Sequence, residues 1–254
     1  MMRNMRYVKD LERFDGARVA VLGFVGSDGS PRSCAVTPYV VDGELTVTST
    51  LAYLAKVRAM SQRPDVVLYA SGSHAVATAA VAMHESPAWF DEHLRDQERR
   101  KYPPARSLLA LPFHRRLLWW YVGRAVITLR SPVVETVRGA DTTTITSLVD
   151  GKPCVRPTEV DDPAASVIDV GVGIADGPAC LLVHDEDDDM AELRQLTVRG
   201  TVADGHLHVQ HRSGSLEPTN PGTLAQLRSL RSLGRAAAAN RTEIASWNRG
   251  ETHA

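Results

Sequence analysis

Thr48, Ser49 and Thr50 stand together where a strand pattern gives way to a helical one, and Lys56 follows six residues later. Hydroxyl or amide donors with a cation at a strand end or helix N-terminus are what a phosphate group requires. The same residues have a plainer use, in which Ser49 and Thr50 cap the helix and Lys56 is solvated. Two further clusters carry ligating side chains. The run His184-Asp-Glu-Asp-Asp-Asp189 offers carboxylates to a hard divalent cation. It lacks the glycine and terminal glutamate of a calcium loop and falls where a hairpin turn is expected, so a solvated loop is the better reading. His206 and His208 share one face of a strand by period two, with His211 nearby. Such a pair can bind a metal or ligate haem, but surface pairs of this kind are commoner, and no metal site is assigned. Trp119, Trp120 and Tyr121 suit either stacking on a planar ring or core packing, the default for aromatics. No Gly-x-Gly-x-x-Gly, Walker, Gly-x-Ser-x-Gly or His-Glu-x-x-His pattern occurs, which argues against Rossmann, kinase-like, hydrolase and zincin readings.

These residues sit in a chain of 254, long enough for one large domain or two small ones. A hydrophobic fraction of 43% and a charged fraction of 23% are those of an ordinary globular protein. A formal net charge of −1 provides no global field for nucleic acid or an anionic membrane. Cys34, Cys154 and Cys180 are far apart and form no Cys-x-x-Cys pair, so a reducing cytoplasm is the expected setting. No signal-peptide core is present, and no apolar run approaches the roughly 20 residues that span a bilayer.

The elements that must position these groups are mostly strands. Residues 1–16 read as a short helix. Residues 19–25, 32–41 and 44–49 read as a three-stranded meander whose turns are Gly26-Ser-Asp-Gly-Ser-Pro31 and Asp42-Gly43. A helix is expected over 50–63, with Leu51, Leu54 and Val57 on one face and Pro64 as its stop. Strands follow at 66–69 and 75–83, a helix at 86–101 with a solvated charged face that includes Glu98, and a long strand at 117–129. Residues 139–178 read as a linker with weak strands. A second meander over 180–210 and a Leu-spaced helix over 222–239 complete the pattern, and a frayed tail is expected beyond.

The two meanders match without a gap. Residues 32–47 and 194–209 both fit R-x-x-x-V-x-x-x-V-x-D-G-x-L-x-V, and a helix headed by Thr50-Leu-Ala or Thr223-Leu-Ala follows each. A supersecondary unit used twice is the inference. Any Asp-Gly hairpin between apolar strands would show part of this pattern.

The order strand, Ser27-Asp28-Gly29-Ser30-Pro31-Arg32, strand, Asp42-Gly43, strand, Thr48-Ser49-Thr50, Lys56-Val57-Arg58, then Arg63-Pro64-Asp65-Val66 resembles the pyridoxamine 5′-phosphate oxidase-like superfamily of split β-barrel flavoproteins. The resemblance covers residues 19–70, with looser similarity as far as 122–126. It implies a mainly β fold of the FMN-binding split-barrel type with peripheral helices: a cofactor-binding unit over 1–138, the linker 139–178, and a second related, incomplete meander-helix unit over 179–254. It also implies FMN or the deazaflavin F420 as cofactor, with haem as the alternative, and oxidoreductase activity on a small organic substrate or non-catalytic carriage of the cofactor. Thr48, Ser49, Thr50 and Lys56 are the residues carried over as its phosphate site, with Arg32 along the ring. No catalytic residue is implied. Relatives of this kind pair as homodimers with cofactor between two barrels. The second unit here therefore suggests an internal pseudo-dimer in which one phosphate site survives, because Ser229 matches Lys56. The segment 86–116 is longer than a minimal barrel requires, and is expected to cover the site or replace a partner.

Overall fold

The computed structural model describes residues 11–102, 104–110, 116, 118–137, 139, 142–186, 193–218 and 223–249. A helical segment α1 (residues 11–16) leads into the hairpin of β1 (Ala20–Val25) and β2 (Pro31–Val36), then that of β3 (Pro38–Val41) and β4 (Glu44–Thr50). Helix α2 (Ala55–Gln62) precedes a third hairpin, β5 (Asp65–Ala70) and β6 (Ser73–His84). Three short helices, α3 (Pro87–His93), α4 (Arg95–Lys101) and α5 (Pro104–Ala110), and a helical turn, α6 (Trp119–Val122), precede β7 (Arg124–Thr136). These strands lie in the order β2-β1-β5-β6-β7-β4-β3. The two end strands of that order are consecutive in sequence and separated only by Thr37. The sheet therefore curls round to meet itself through one bent strand, which makes it a split β-barrel.

Pro38 accounts for the split. It has no N–H for a ladder and stands first in β3, where proline is tolerated. Buried Lys101 pins the bend by donating from Nζ to the Pro38 carbonyl at 2.5 Å. The split leaves two strand edges, which would invite pairing with another chain. Glutamine side chains cover both. Gln97 accepts from the Val40 N–H at 3.1 Å and donates to its carbonyl at 2.7 Å, and Gln195 accepts from the Ala35 N–H at 3.2 Å.

The second sheet contains β8 (Thr143–Val149), β9 (Lys152–Pro157), β10 (Val167–Asp169), β11 (Gly177–Glu186), β12 (Leu193–Ala203) and β13 (His206–Ser215), in the order β10-β13-β12-β11-β8-β9. Its end strands do not pair with each other, so it stays open. Asp42-Gly43, Asp150-Gly151 and Asp204-Gly205 all have φ near 52–53° and 77–78°, the paired left-handed conformation of a type I′ hairpin turn. The repeat is visible in space. Thr37-Pro38 of the first copy matches Arg199-Gly200 of the second, and there β12 shifts register. A side chain on Gly200 would collide with the His208 carbonyl. Where proline splits the first copy, glycine merely bulges the second.

Several sequence expectations need correction. Residues 143–157, read as part of a linker with weak strands, form a hairpin integral to the second sheet. Strand β4 runs through Thr50, so the helix expected from 50 begins at Ala55 and Thr50 is not its cap. The helix over 86–101 is interrupted at Leu94. Residues 119–122, read as strand, form a helical turn before β7. Beyond α7 (Thr223–Ala239) the chain continues as α8 (Arg241–Asn248) rather than fraying. Both last helices leave the second sheet. Ala237 and Ile244 join the barrel core around Leu45, Met60, Leu68 and Ile127, and Glu243 holds Arg58 of α2 through two contacts of 2.6 Å. Among the described residues no helix is long and apolar enough to cross a membrane.

Strand β1 is buried at every position. One face looks into the barrel, while Val21 joins Val67, Tyr69, Val155 and Leu182 at a seam between the two sheets. That explains a continuous apolar run where a half-buried strand would alternate. Gly23 lies at this seam, where an added Cβ would collide with Val155. Gly23→Val is expected to cost about 1–3 kcal/mol through overpacking, read as a lowered urea midpoint. An unchanged midpoint would contradict this packing of the sheets.

Candidate functional site

The split of the barrel opens into a cleft of ≈680 Å³. One wall is the free edge of β2 at Cys34 and Ala35. The other is the 52–56 connection into α2, with Tyr53, Leu54 and Lys56, and Gln195 of β12 closes it from the second sheet. Its size is that of cofactor sites generally. Helix α2 begins here with no side-chain cap and no acidic residue in its first turn, so its positive end faces the cleft with unneutralised amide donors. Lys56 is the second residue of that helix and has no ion-pair partner among the described residues. Arg58, also on the wall, is committed to Glu243. Tyr53, 58% exposed, presents an aromatic face. Burial pushes the Cys34 thiol up, and the nearby Lys56 charge only partly offsets this. Cys34 is therefore a neutral wall rather than a nucleophile.

A smaller lobe of ≈330 Å³ lies alongside, lined by Thr37, Tyr39, Thr48, Thr50, Glu98, Tyr102, Tyr121, Arg124 and Leu193. The two spaces have neighbouring walls. Ala35 and Thr37 are two residues apart on the bent strand, as Gln195 and Leu193 are on β12. Glu98, expected on a solvated face, is only 4% exposed. Its Oε1 accepts from Tyr121 at 2.5 Å and from Arg124 Nη2 at 2.9 Å, and its Oε2 accepts from Tyr39. The Arg124 guanidinium also lies over the rings of Phe90 and Tyr121, at 5.1 and 4.4 Å. Burial, reinforced by the Glu98 charge, raises both phenols well above their ordinary range, so they remain protonated donors.

The structure thus separates the residues picked out in the sequence. Lys56 lines the large cleft, and Thr48 and Thr50 the small lobe. Ser49 points the other way by strand alternation and donates to the Tyr53 carbonyl at 2.7 Å, which holds the connection in shape. Arg32 lines neither space. It pairs with Asp28 of the β1–β2 turn at 2.6 Å, and Arg194 of the second copy pairs likewise with Asp185. The matched arginine of the repeat is therefore a hairpin pin. Hydrogen bonds from Ser30 lead in holding the Asp28 carboxyl down to about 2, and Arg32 adds to them. Below the ordinary range, folding is what keeps this group ionised, so its contribution is present above about pH 4 and is lost as pH falls toward 2. Carboxyl NMR should give a midpoint near 2 for Asp28, and Arg32→Ala should raise it. A midpoint near 4 would contradict the pin.

Tyr53, Glu98, Arg124, Leu193 and Gln195 were not among the residues picked out in the sequence. Tyr53, between Thr50 and Lys56, was within reach of the motif. The others come together only through the fold. His206, His208 and His211 are exposed on β13, and no group of three potential metal ligands occurs among the described residues. Residues 187–189 of the acidic run lie outside the described residues. A hollow of ≈690 Å³ in the second sheet is lined by Glu159, Asp161, Asp162 and Asp169, a charge that repels phosphate.

No family model and no curated protein matches the chain. Comparison with solved structures finds a putative pyridoxamine 5′-phosphate oxidase from Listeria innocua (TM-score 0.36, 18% identity, covering 52% of this chain and 97% of that one). It also finds general stress protein 26 from Bacillus anthracis (0.34, 16%, 52% and 93%) and a putative 5-nitroimidazole antibiotic resistance protein from Bacteroides thetaiotaomicron (0.36, 12%, 50% and 81%). At these scores the matches carry no inference about activity.

Proposed function

We propose that the chain binds a phosphate-bearing flavin-type cofactor, FMN or F420, in the cleft between β2 and α2, and works as an oxidoreductase on a small organic molecule. The observation that carries this reading is Lys56 on the uncapped N-terminus of α2, opening into a cleft of cofactor size. A phosphate there meets amide donors, the helix dipole and an unpaired ammonium. Tyr53 offers a face for a flat ring, and the β2 edge with Gln195 a hydrogen-bonding wall. When bound, such a ring supplies the hydride chemistry, while the chain's residues hold and orient it. Haem fits less well. No histidine lines the cleft, and Cys34 is held as a thiol.

The second sheet takes the place of a partner subunit in this reading, since Gln195 and Leu193 supply the far walls. A chain built this way holds one cofactor. Visible spectra after adding FMN, F420 or haemin in turn test the reading, followed by turnover with a reductant. Binding with turnover supports an oxidoreductase, and binding without turnover a carrier or store. Binding of haemin alone, or of none of the three, overturns the proposal.

A further inference from the structure

Lys56 and Arg58 both line the large cleft, and a carboxylate from the C-terminal helix α8 already holds one of them. Glu243 grips Arg58 by the edge that carries Nε and Nη2, at 2.6 Å to each. Those two donors are the ones a phosphate takes when it binds arginine bidentately. The carboxylate therefore occupies what an incoming phosphate would use. The pair is also within a ligand's reach, because the Arg58 side chain is 46% exposed and that of Glu243 21%. An ion pair this open to solvent holds weakly and can be exchanged.

Folding delivers Glu243 to this place. Its neighbour Ile244 is buried in the barrel core. Asn240, at the joint of α7 and α8, lines the cleft and donates from Nδ2 to the Leu51 carbonyl at 2.9 Å. At the other end of α8, Asn248 donates to Glu85 at 2.8 Å. The helix is thus anchored at its joint, in the core and at its far end, without help from Glu243. An ion pair meant only to hold α8 has no reason to engage a cation of the cleft wall.

We infer that Glu243 is an internal competitor for the ligand's phosphate: the C-terminal arm keeps Arg58 neutralised and so sets how strongly the cleft holds an anionic cofactor. This rests on the proposed function in placing a phosphate at the start of α2. It adds a regulatory contact to that site. By linkage, a phosphate that takes Arg58 loosens the hold of Glu243 by the same factor by which Glu243 weakens the phosphate.

The test is fluorescence titration of the full chain with FMN, with F420, and with riboflavin, which is FMN without its phosphate. Glu243→Gln keeps the shape of the side chain and removes its charge, and the fold tolerates this because the pair lies at the surface. It is expected to tighten FMN or F420 binding about tenfold, the scale of one charge-assisted contact, and to leave riboflavin unchanged. Glu85→Gln removes a charge beside the far end of α8 without touching Arg58, and is expected to change nothing. Weaker cofactor binding in Glu243→Gln would mean that the carboxylate only positions Arg58, and would overturn the inference. An equal gain for riboflavin, or the same gain from Glu85→Gln, would also overturn it. The outcomes separate the two proposals. Cofactor binding of equal strength in the native chain and Glu243→Gln sinks the competition and leaves the cofactor reading. Binding to Glu243→Gln alone sinks that reading for the native chain and leaves the competition, and binding to neither sinks both.

Discussion

Replacing Glu98 by alanine is expected to destabilise the fold by about 3–5 kcal/mol, because it strands a buried cation. Arg124 is 2% exposed and its one carboxylate partner among the described residues is Glu98. Tyr39 and Tyr121 lose their acceptor in the same step. Against a total stability of roughly 5–15 kcal/mol the loss should lower the melting temperature by about 10 °C or more. The double replacement Glu98→Leu with Arg124→Met should recover much of it, since a buried pair removed whole is often tolerated. The phenols add a pH signature. Both hold their protons to higher pH when folded than the ordinary value of 10.0. Folding then favours the protonated form, and stability falls as pH rises above about 10. Tyr39→Phe should blunt that fall. A loss below about 1 kcal/mol for Glu98→Ala would contradict the buried network.

Replacing Lys56 by alanine is expected to weaken FMN or F420 binding roughly ten- to a hundredfold, the value of one charge-assisted contact to phosphate. The fold should barely respond, because Lys56 contributes no ion pair among the described residues and lies outside the core. Ser229, its match in the second copy, is exposed on α7, and Ser229→Ala should leave binding unchanged. Equal losses from the two substitutions would mean that the copies contribute alike and would contradict a single surviving site.

The fold was legible where local chemistry decides it. The Asp-Gly turns adopt the paired positive φ that their residues permit, and the apolar strands lie where the runs predict. The repeat was legible too, yet its consequence was not. The same motif splits at Pro38 and bulges at Gly200, and only the pairing partners reveal that one copy closes a barrel and the other remains open. Glu98 and Lys101 were the hardest to read. They lie in a run of charges that has every mark of a solvated face, and their partners Tyr39, Tyr121, Arg124 and the Pro38 carbonyl lie between 23 and 63 residues away. Residues 119–122 misled for the opposite reason. Four apolar residues in a row satisfy a strand or a helical turn equally, and tertiary packing of Trp120, Tyr121 and Val122 decided between them. Of the residues that line the two spaces, Thr48, Thr50 and Lys56 were among those the sequence suggested, from a strand end and the helix after it. Their division between two adjoining spaces follows from strand alternation and from walls that the second sheet supplies.

The most direct measurement is the stoichiometry and affinity of cofactor binding to the intact chain, by absorbance and fluorescence titration with FMN and with F420. One equivalent per chain, weakened by Lys56→Ala and untouched by Ser229→Ala, is the predicted result. Two equivalents per chain, no binding of either cofactor, or binding indifferent to Lys56 would contradict it.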